Sequence, residues 1–440
     1  MKCFLSPAAA SVRLATSNPA ARRHAVLGLW LLTLVLASVP ARALEGTERF
    51  SEQYDLIYQI RDIASAASSK SAIGSGFAIS ADGLVITNYH VVSNYVRSPR
   101  GRNLEYLDQN GNTGPLTLID FDVINDLALL RRSPPDHGKF FDIAADEPTT
   151  GEIIYAVGNP HDLGITLVFG ASNGMVEHSY DPQILFSGSL NPGMSGGPGL
   201  NEDGQVVGVN VATAGSQLSF LVPAAAVRSL VNGRRTLDPE EFDLEIAAQL
   251  KTWQRNRIDN LLNQSWATKA LGDRSVPGEI RNDIQCWGSS NDGDDDARMR
   301  RLRMSCDSGN RIFIGSRLNT GQIHFSFDET TSLKLPAYRF HHMIGGQRLR
   351  ADNAATDKDV TPYRCEADFL EQNDRATNSF RRVTYCVRAY KRLAGLFDIL
   401  FLGEHNGSDT SFSAHYTLAG IEQDLAAAFH ERFLATLGWN

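Results

Sequence analysis

Cysteine is scarce in this chain of 440 residues: there are 5, and no two form the close Cys-x-x-Cys pairs that hold zinc. His341 and His342 stand apart from them and read as a surface pair, so no metal site is expected. Positive charge is also short. Lys and Arg number 42 against 50 Asp and Glu, a formal net charge of −8, which argues against a nucleic-acid-binding surface. Beyond the N-terminus no apolar run approaches the about 20 residues that a bilayer span needs. The acidic cluster Asp292–Asp296 misses the calcium-loop spacing and reads as a solvated loop. With 42% hydrophobic residues, the composition instead suits a soluble globular chain whose length admits two or three domains.

The N-terminus is different in kind. Arg13, Arg22 and Arg23 precede an apolar stretch, residues 25–37, and Ala41-Arg42-Ala43 follows as a small-x-small cleavage site. Residues 1–43 read as an export signal cleaved after Ala43, with an uncleaved anchor as the alternative; the rest of the chain is then periplasmic or secreted. Cys3 leaves with that leader. Cys286, Cys306, Cys365 and Cys386 remain, an even count that suggests two disulfides, although three pairings are open. Local pairing is favoured by the matched separations of 20 and 21 residues. Each second cysteine precedes an apolar run, residues 311–315 and 398–403, which hints at an internal duplication.

The chemistry lies upstream. Asn191-Pro192-Gly193-Met194-Ser195-Gly196-Gly197-Pro198 sets a serine among glycines, where the backbone can turn sharply and its amides can approach a carbonyl. Residues 74–92 read as a strand, a tight Asp82-Gly83 turn and a second strand, with His90 just past its end. Asp126 opens the apolar run Leu127-Ala128-Leu129-Leu130. Histidine, then aspartate, then serine is the chain order of chymotrypsin-type hydrolases.

These three blocks, with Gly158-Asn159-Pro160 and the following Gly170–Val176, and with Gly204–Asn210, resemble the signatures of the trypsin-fold HtrA/Deg-like serine peptidases over roughly residues 55–232. The resemblance implies a serine endopeptidase acting on protein or peptide substrates without a cofactor. Ser195 would be the nucleophile, His90 its base, and Asp126 the partner of the other imidazole nitrogen. The backbone amides of Gly193 and Ser195 would form the oxyanion hole. Met194 departs from the family pattern, which has Asn or Asp there; it reads as packing into the barrel. The primary pocket would be built by Ser189 with Asn210, Val211 and Ala212. None of these is a carboxylate, so small or aliphatic substrate residues are expected. No PDZ peptide-binding signature is recognisable. The alternative is a non-catalytic binding or chaperone-like protein on the same fold.

The expected fold class is mainly β: two six-stranded antiparallel β-barrels over residues 44–232, the first carrying His90 and Asp126 and the second Ser195. A helical linker, 233–275, follows from the Asp238-Pro239 start signal and the helical spacing of Phe242, Ile246, Leu250, Trp253 and Leu261. A disulfide-containing α+β domain, 276–440, is expected to end in an amphipathic helix from Ile421 to Leu437, and a partner acting through that domain is possible.

Overall fold

Short alternating segments punctuated by turn residues close into barrels. A computed structural model describes residues 53–65, 69–135, 138–215, 217–344, 354–369 and 382–439; the 1–43 leader lies outside these. β1 (Ile57–Ala64), β2 (Ser69–Ala78), β3 (Leu84–Thr87), β4 (Arg102–Leu107), β5 (Thr113–Asp122) and β6 (Leu127–Arg132) form the first closed barrel, in the order β1-β2-β3-β6-β5-β4. Between β3 and β4 runs the helix α1 (Tyr89–Arg97). The second barrel joins β7 (Ile153–Gly158), β8 (Thr166–Met175), β9 (Ile184–Phe186), β10 (Pro198–Leu200), β11 (Val206–Gly215) and β12 (Leu218–Pro223), ordered β10-β11-β12-β9-β8-β7. Helix α2 (Ala224–Gly233) follows it. Two six-stranded antiparallel barrels are therefore present, as the sequence led one to expect.

Helix α3 (Phe242–Leu262) begins later than the Asp238-Pro239 signal implied. Residues 238–241 make a turn instead: the Glu241 amide donates to the Asp238 carbonyl, and the Glu241 carboxylate accepts the Asp238 amide at 3.2 Å. On one side α3 meets the first barrel, where the Gln249 side chain donates to the Phe121 carbonyl and accepts the Val123 amide, each at 2.8 Å. On the other, Gln254 Nε2 donates to the Ala419 carbonyl at 2.9 Å. Side-chain hydrogen bonds on both flanks hold the helix between two bodies of structure.

One of those bodies is a seven-stranded antiparallel sheet. Its strands run in the order Gln285–Ser290, Met299–Asp307, Ile323–Ser332, Thr410–Ile421, Phe397–Asn406, Arg382–Ala389 and Arg364–Phe369. Phe325, Phe327, Phe401 and Tyr416 pack from it onto Phe429 and Phe433 of the closing helix Gln423–Thr436. Edge strands have one neighbour and are the easiest to lose. Here a disulfide joins each edge strand to the next one in: Cys286 to Cys306 at one border and Cys365 to Cys386 at the other, both directly opposite in register. The matched cysteine separations thus come from two stapled edges. The apolar runs that hinted at a duplication take unlike places. Asp398–Gly403 lies in an inner strand of the sheet, whereas Ile312–Gly315 pairs with Leu318–Thr320 as a separate hairpin. Among the described residues no helix is long and apolar enough to cross a membrane.

Candidate active site

β3 delivers the chain to the rim of the first barrel, and Asn88, still extended at φ −81° and ψ 151°, turns it into α1. His90 therefore projects from the first turn of that helix. Asp126 waits at the start of β6 with φ +54°, a left-handed conformation that Asp tolerates better than most residues. Several bonds hold it there. Its carbonyl accepts the Tyr89 amide at 3.0 Å and Asn88 Nδ2 at 2.8 Å. Its Oδ1 accepts the His90 amide at 2.8 Å, and its Oδ2 meets His90 Nδ1 at 2.6 Å. Strained backbone persists where surroundings over-determine it, and these four contacts do so.

The carboxylate decides how the imidazole behaves. Burial, the largest influence on His90, opposes its charge, but the Asp126 charge and hydrogen bond outweigh it, so the pKa lies above the ordinary 6.5. With Nδ1–H given to Asp126, Nε2 is left as the basic nitrogen. The imidazole remains partly open to solvent, its side chain 30% exposed.

Ser195 sits in a loop gripped by the first barrel. The Ser75 amide donates to the Ser195 carbonyl at 2.8 Å, and Ser75 Oγ donates to the Gly193 carbonyl at 2.7 Å while accepting the Asn159 amide at 2.9 Å. Gly196 has φ +86°, and a Cβ there would stand 2.2 Å from the Ser75 carbonyl and 3.0 Å from the Asn88 amide. The serine loop and the strand end leading to His90 thus touch. Gly193 has φ +98°, with a hypothetical Cβ only 2.3 Å from the Asn159 carbonyl. Met194 is fully buried in the second barrel core, among Ile154, Phe186 and Leu221, and its amide closes a turn onto the Asn191 carbonyl at 3.0 Å. The amides on either side, of Gly193 and Ser195, have no hydrogen-bond partner among the described residues. Two free donors flanking a hydroxyl are what a developing oxyanion requires.

The hydroxyl itself points elsewhere. Ser195 Oγ donates to the Val211 carbonyl at 2.9 Å, and among the described residues no hydrogen bond joins it to His90. The structure therefore couples His90 to Asp126 directly and brings the Ser195 loop alongside, with the serine–imidazole bond unmade. Such bonds are commonly long or absent until substrate is bound.

Of the residues expected to line a pocket, Ser189 is exposed and its Oγ accepts the Gln217 amide at 3.2 Å. Val211 contributes the carbonyl that holds the serine, and the side chain of Ala212 lies outside the described residues. Asn210 is fully buried, where its side chain donates to the Val157 carbonyl at 2.9 Å and reaches the Met194 carbonyl at 3.4 Å beside the Ser195 loop. Sequence reasoning missed Ser75 and Asn88, which hold the site together without taking part in its chemistry. Ser75 did leave a trace: it lies between two glycines, and a Cβ at Gly74 would stand 2.4 Å from Val91. Among the described residues no group of three or more His, Cys, Asp and Glu is placed to hold a metal ion.

Residues 74–209 match the trypsin-like peptidase domain family. Serine protease HTRA1 of Xenopus laevis is 33% identical over 170 residues, covering 37% of this chain and 36% of that protein. A probable periplasmic serine endoprotease, DegP-like, of Bartonella henselae is 32% identical over 170 residues, covering 36% of this chain and 33% of its own length. Human serine protease HTRA3 is 32% identical over 195 residues, 42% of this chain and 40% of that one. This chain thus spans 33–40% of the length of these curated relatives. With its paired barrels, the chain carries a trypsin-like peptidase domain, similar in sequence to part of the HtrA and DegP-like serine proteases.

Proposed function

We propose that the protein is an exported serine endopeptidase that cleaves proteins or peptides through His90, Asp126 and Ser195. The observation that carries this reading is the 2.6 Å imidazole–carboxylate pair beside a serine loop with two unpaired amides. Ser195 Oγ attacks the scissile carbonyl while His90 Nε2 takes its proton. The oxyanion of the tetrahedral intermediate accepts hydrogen bonds from the Gly193 and Ser195 amides, each worth about 3 kcal/mol. Collapse sends the proton from His90 to the leaving amine, and water then releases the acyl group by the reverse sequence. Ser189 and Val211 offer no carboxylate to a cationic side chain, so small or aliphatic residues are the preferred ones before the cleaved bond. The similarity to a serine protease and to a probable periplasmic serine endoprotease supports both the activity and a periplasmic or secreted location. Residues 1–43 would be the cleaved leader, 44–232 the peptidase domain, 233–275 the helical linker and 276–440 the disulfide-bearing domain.

The Ser195–Val211 hydrogen bond favours a second reading, a binding or chaperone-like protein whose serine never turns to its base. A fluorophosphonate probe separates the two. Covalent labelling of the mature chain, lost in Ser195→Ala, is expected; a wild-type chain that stays unlabelled would favour the second reading. A pH profile follows from the electrostatics. Attack needs a neutral His90, and its pKa is raised, so kcat/KM should fall with decreasing pH through a midpoint above 6.5. A midpoint well below that value would contradict the Asp126 pairing.

A further inference from the structure

The hairpin of Ile312–Gly315 and Leu318–Thr320 is spliced between two strands of the C-terminal sheet yet lies against α1 of the first barrel. Alternation along its first strand buries Ile312 and Ile314 and leaves Phe313 half-buried on the opposite face. The Phe313 ring meets the His90 imidazole edge to face, with centroids 6.1 Å apart and planes at 79°. One residue on, the Ile314 carbonyl accepts a hydrogen bond at 3.2 Å from the hydroxyl of Tyr89, fully buried and next to His90 in the chain. The other end of α1 is tied as well: Arg97 pairs with Asp359, and Arg392 Nη1 donates to the Arg97 carbonyl at 2.8 Å. The helix bearing the proposed base is thus held from both ends by residues far beyond the barrels.

An imidazole anchored by a carboxylate at Nδ1 alone is fixed at one corner and can still swing about its side-chain torsions. A phenyl ring packed perpendicular to the imidazole opposes that swing. The geometry points to Phe313 as a positioning residue for His90, so that the C-terminal hairpin completes the peptidase site. This inference rests on the reading of His90 as catalytic base. Phe313 acts only through that ring: it keeps Nε2 aimed at the serine.

The test uses the full mature chain and a small fluorophosphonate, which needs the base but no peptide subsite. Phe313→Ala should slow labelling of Ser195 about tenfold, since small misplacements of a catalytic group cost one to two decades. Peptide hydrolysis should drop in proportion through kcat, with KM unchanged, and Phe313→Tyr should recover most of the loss. Tyr89→Phe removes the tether alone and should slow labelling in the same direction by less, about threefold. Should Phe313→Ala fail to fold, Phe313→Leu carries the comparison. A readout independent of turnover is the downfield proton resonance of His90 Nδ1–H, expected in the wild-type chain and broadened in Phe313→Ala. Labelling of Phe313→Ala at the wild-type rate, or a loss confined to KM, would overturn the proposal and make the phenyl a wall for substrate. If the wild-type chain itself does not label, the peptidase reading fails. The resonance still decides the brace, because equally sharp signals in both proteins would refute it.

Discussion

Asp126→Asn is expected to lower kcat about 10⁴-fold while the chain stays folded, the size of loss seen when a triad carboxylate becomes an amide. The local bonds explain why. Asp126 Oδ1 accepts the His90 amide, so the oxygen of an asparagine side chain would take that place. Its NH₂ group would then stand where Oδ2 now meets Nδ1, presenting a donor to a nitrogen that must itself be protonated. The imidazole would answer by carrying its proton on Nε2, and a protonated Nε2 cannot accept the serine proton. Stability should change little, because asparagine has the same shape and accepts the left-handed φ of +54° at this position. Single-turnover kinetics, read beside a thermal melt, measure both effects. A loss below tenfold in a folded variant would mean that Asp126 does not set the tautomer.

Gly193→Ala should lower kcat about 10²- to 10³-fold, the cost of losing one oxyanion donor. The added methyl would sit 2.3 Å from the Asn159 carbonyl on a residue with φ +98°, so the loop must move or change conformation. Either way the Gly193 amide leaves its aim, and the Ser75–Gly193 bond that fixes the peptide is disturbed. Gly111→Ala is the control. It has a similar φ of +82° with nothing within 4 Å of the added carbon, so it carries the backbone strain without reaching the site. Activity lost equally in both variants would point to general destabilisation, and would count against an oxyanion role for Gly193.

How much of this was visible beforehand depends on the range of the interactions. The motifs around His90, Asp126 and Ser195 were visible because each is local: a strand end, a strand start and a glycine-flanked turn. The disulfide partners were legible because the separations of 20 and 21 residues mirrored two adjacent-strand pairs. The burial of Asn210 was not legible, because its facing depends on where β11 joins β10 and β12, and a shift of one residue reverses inside and outside. Ser75 could not be recognised, since its partners Gly193, Ser195 and Asn159 come from another barrel. Phe313 was read as part of an ordinary apolar run. Nothing within that run records that folding lays it against an imidazole more than two hundred residues earlier.

Cys286, Cys306, Cys365 and Cys386 all fall beyond the barrels. A reductant such as dithiothreitol therefore finds no disulfide in the two barrels, and two in the C-terminal sheet, each tying an edge strand to its neighbour. One of those disulfides ends on Cys306 of Met299–Asp307, the strand next to the edge, from which the chain runs on into the Phe313 hairpin. Assay buffers kept free of thiols thus preserve the covalent footing of the segment that leans on His90.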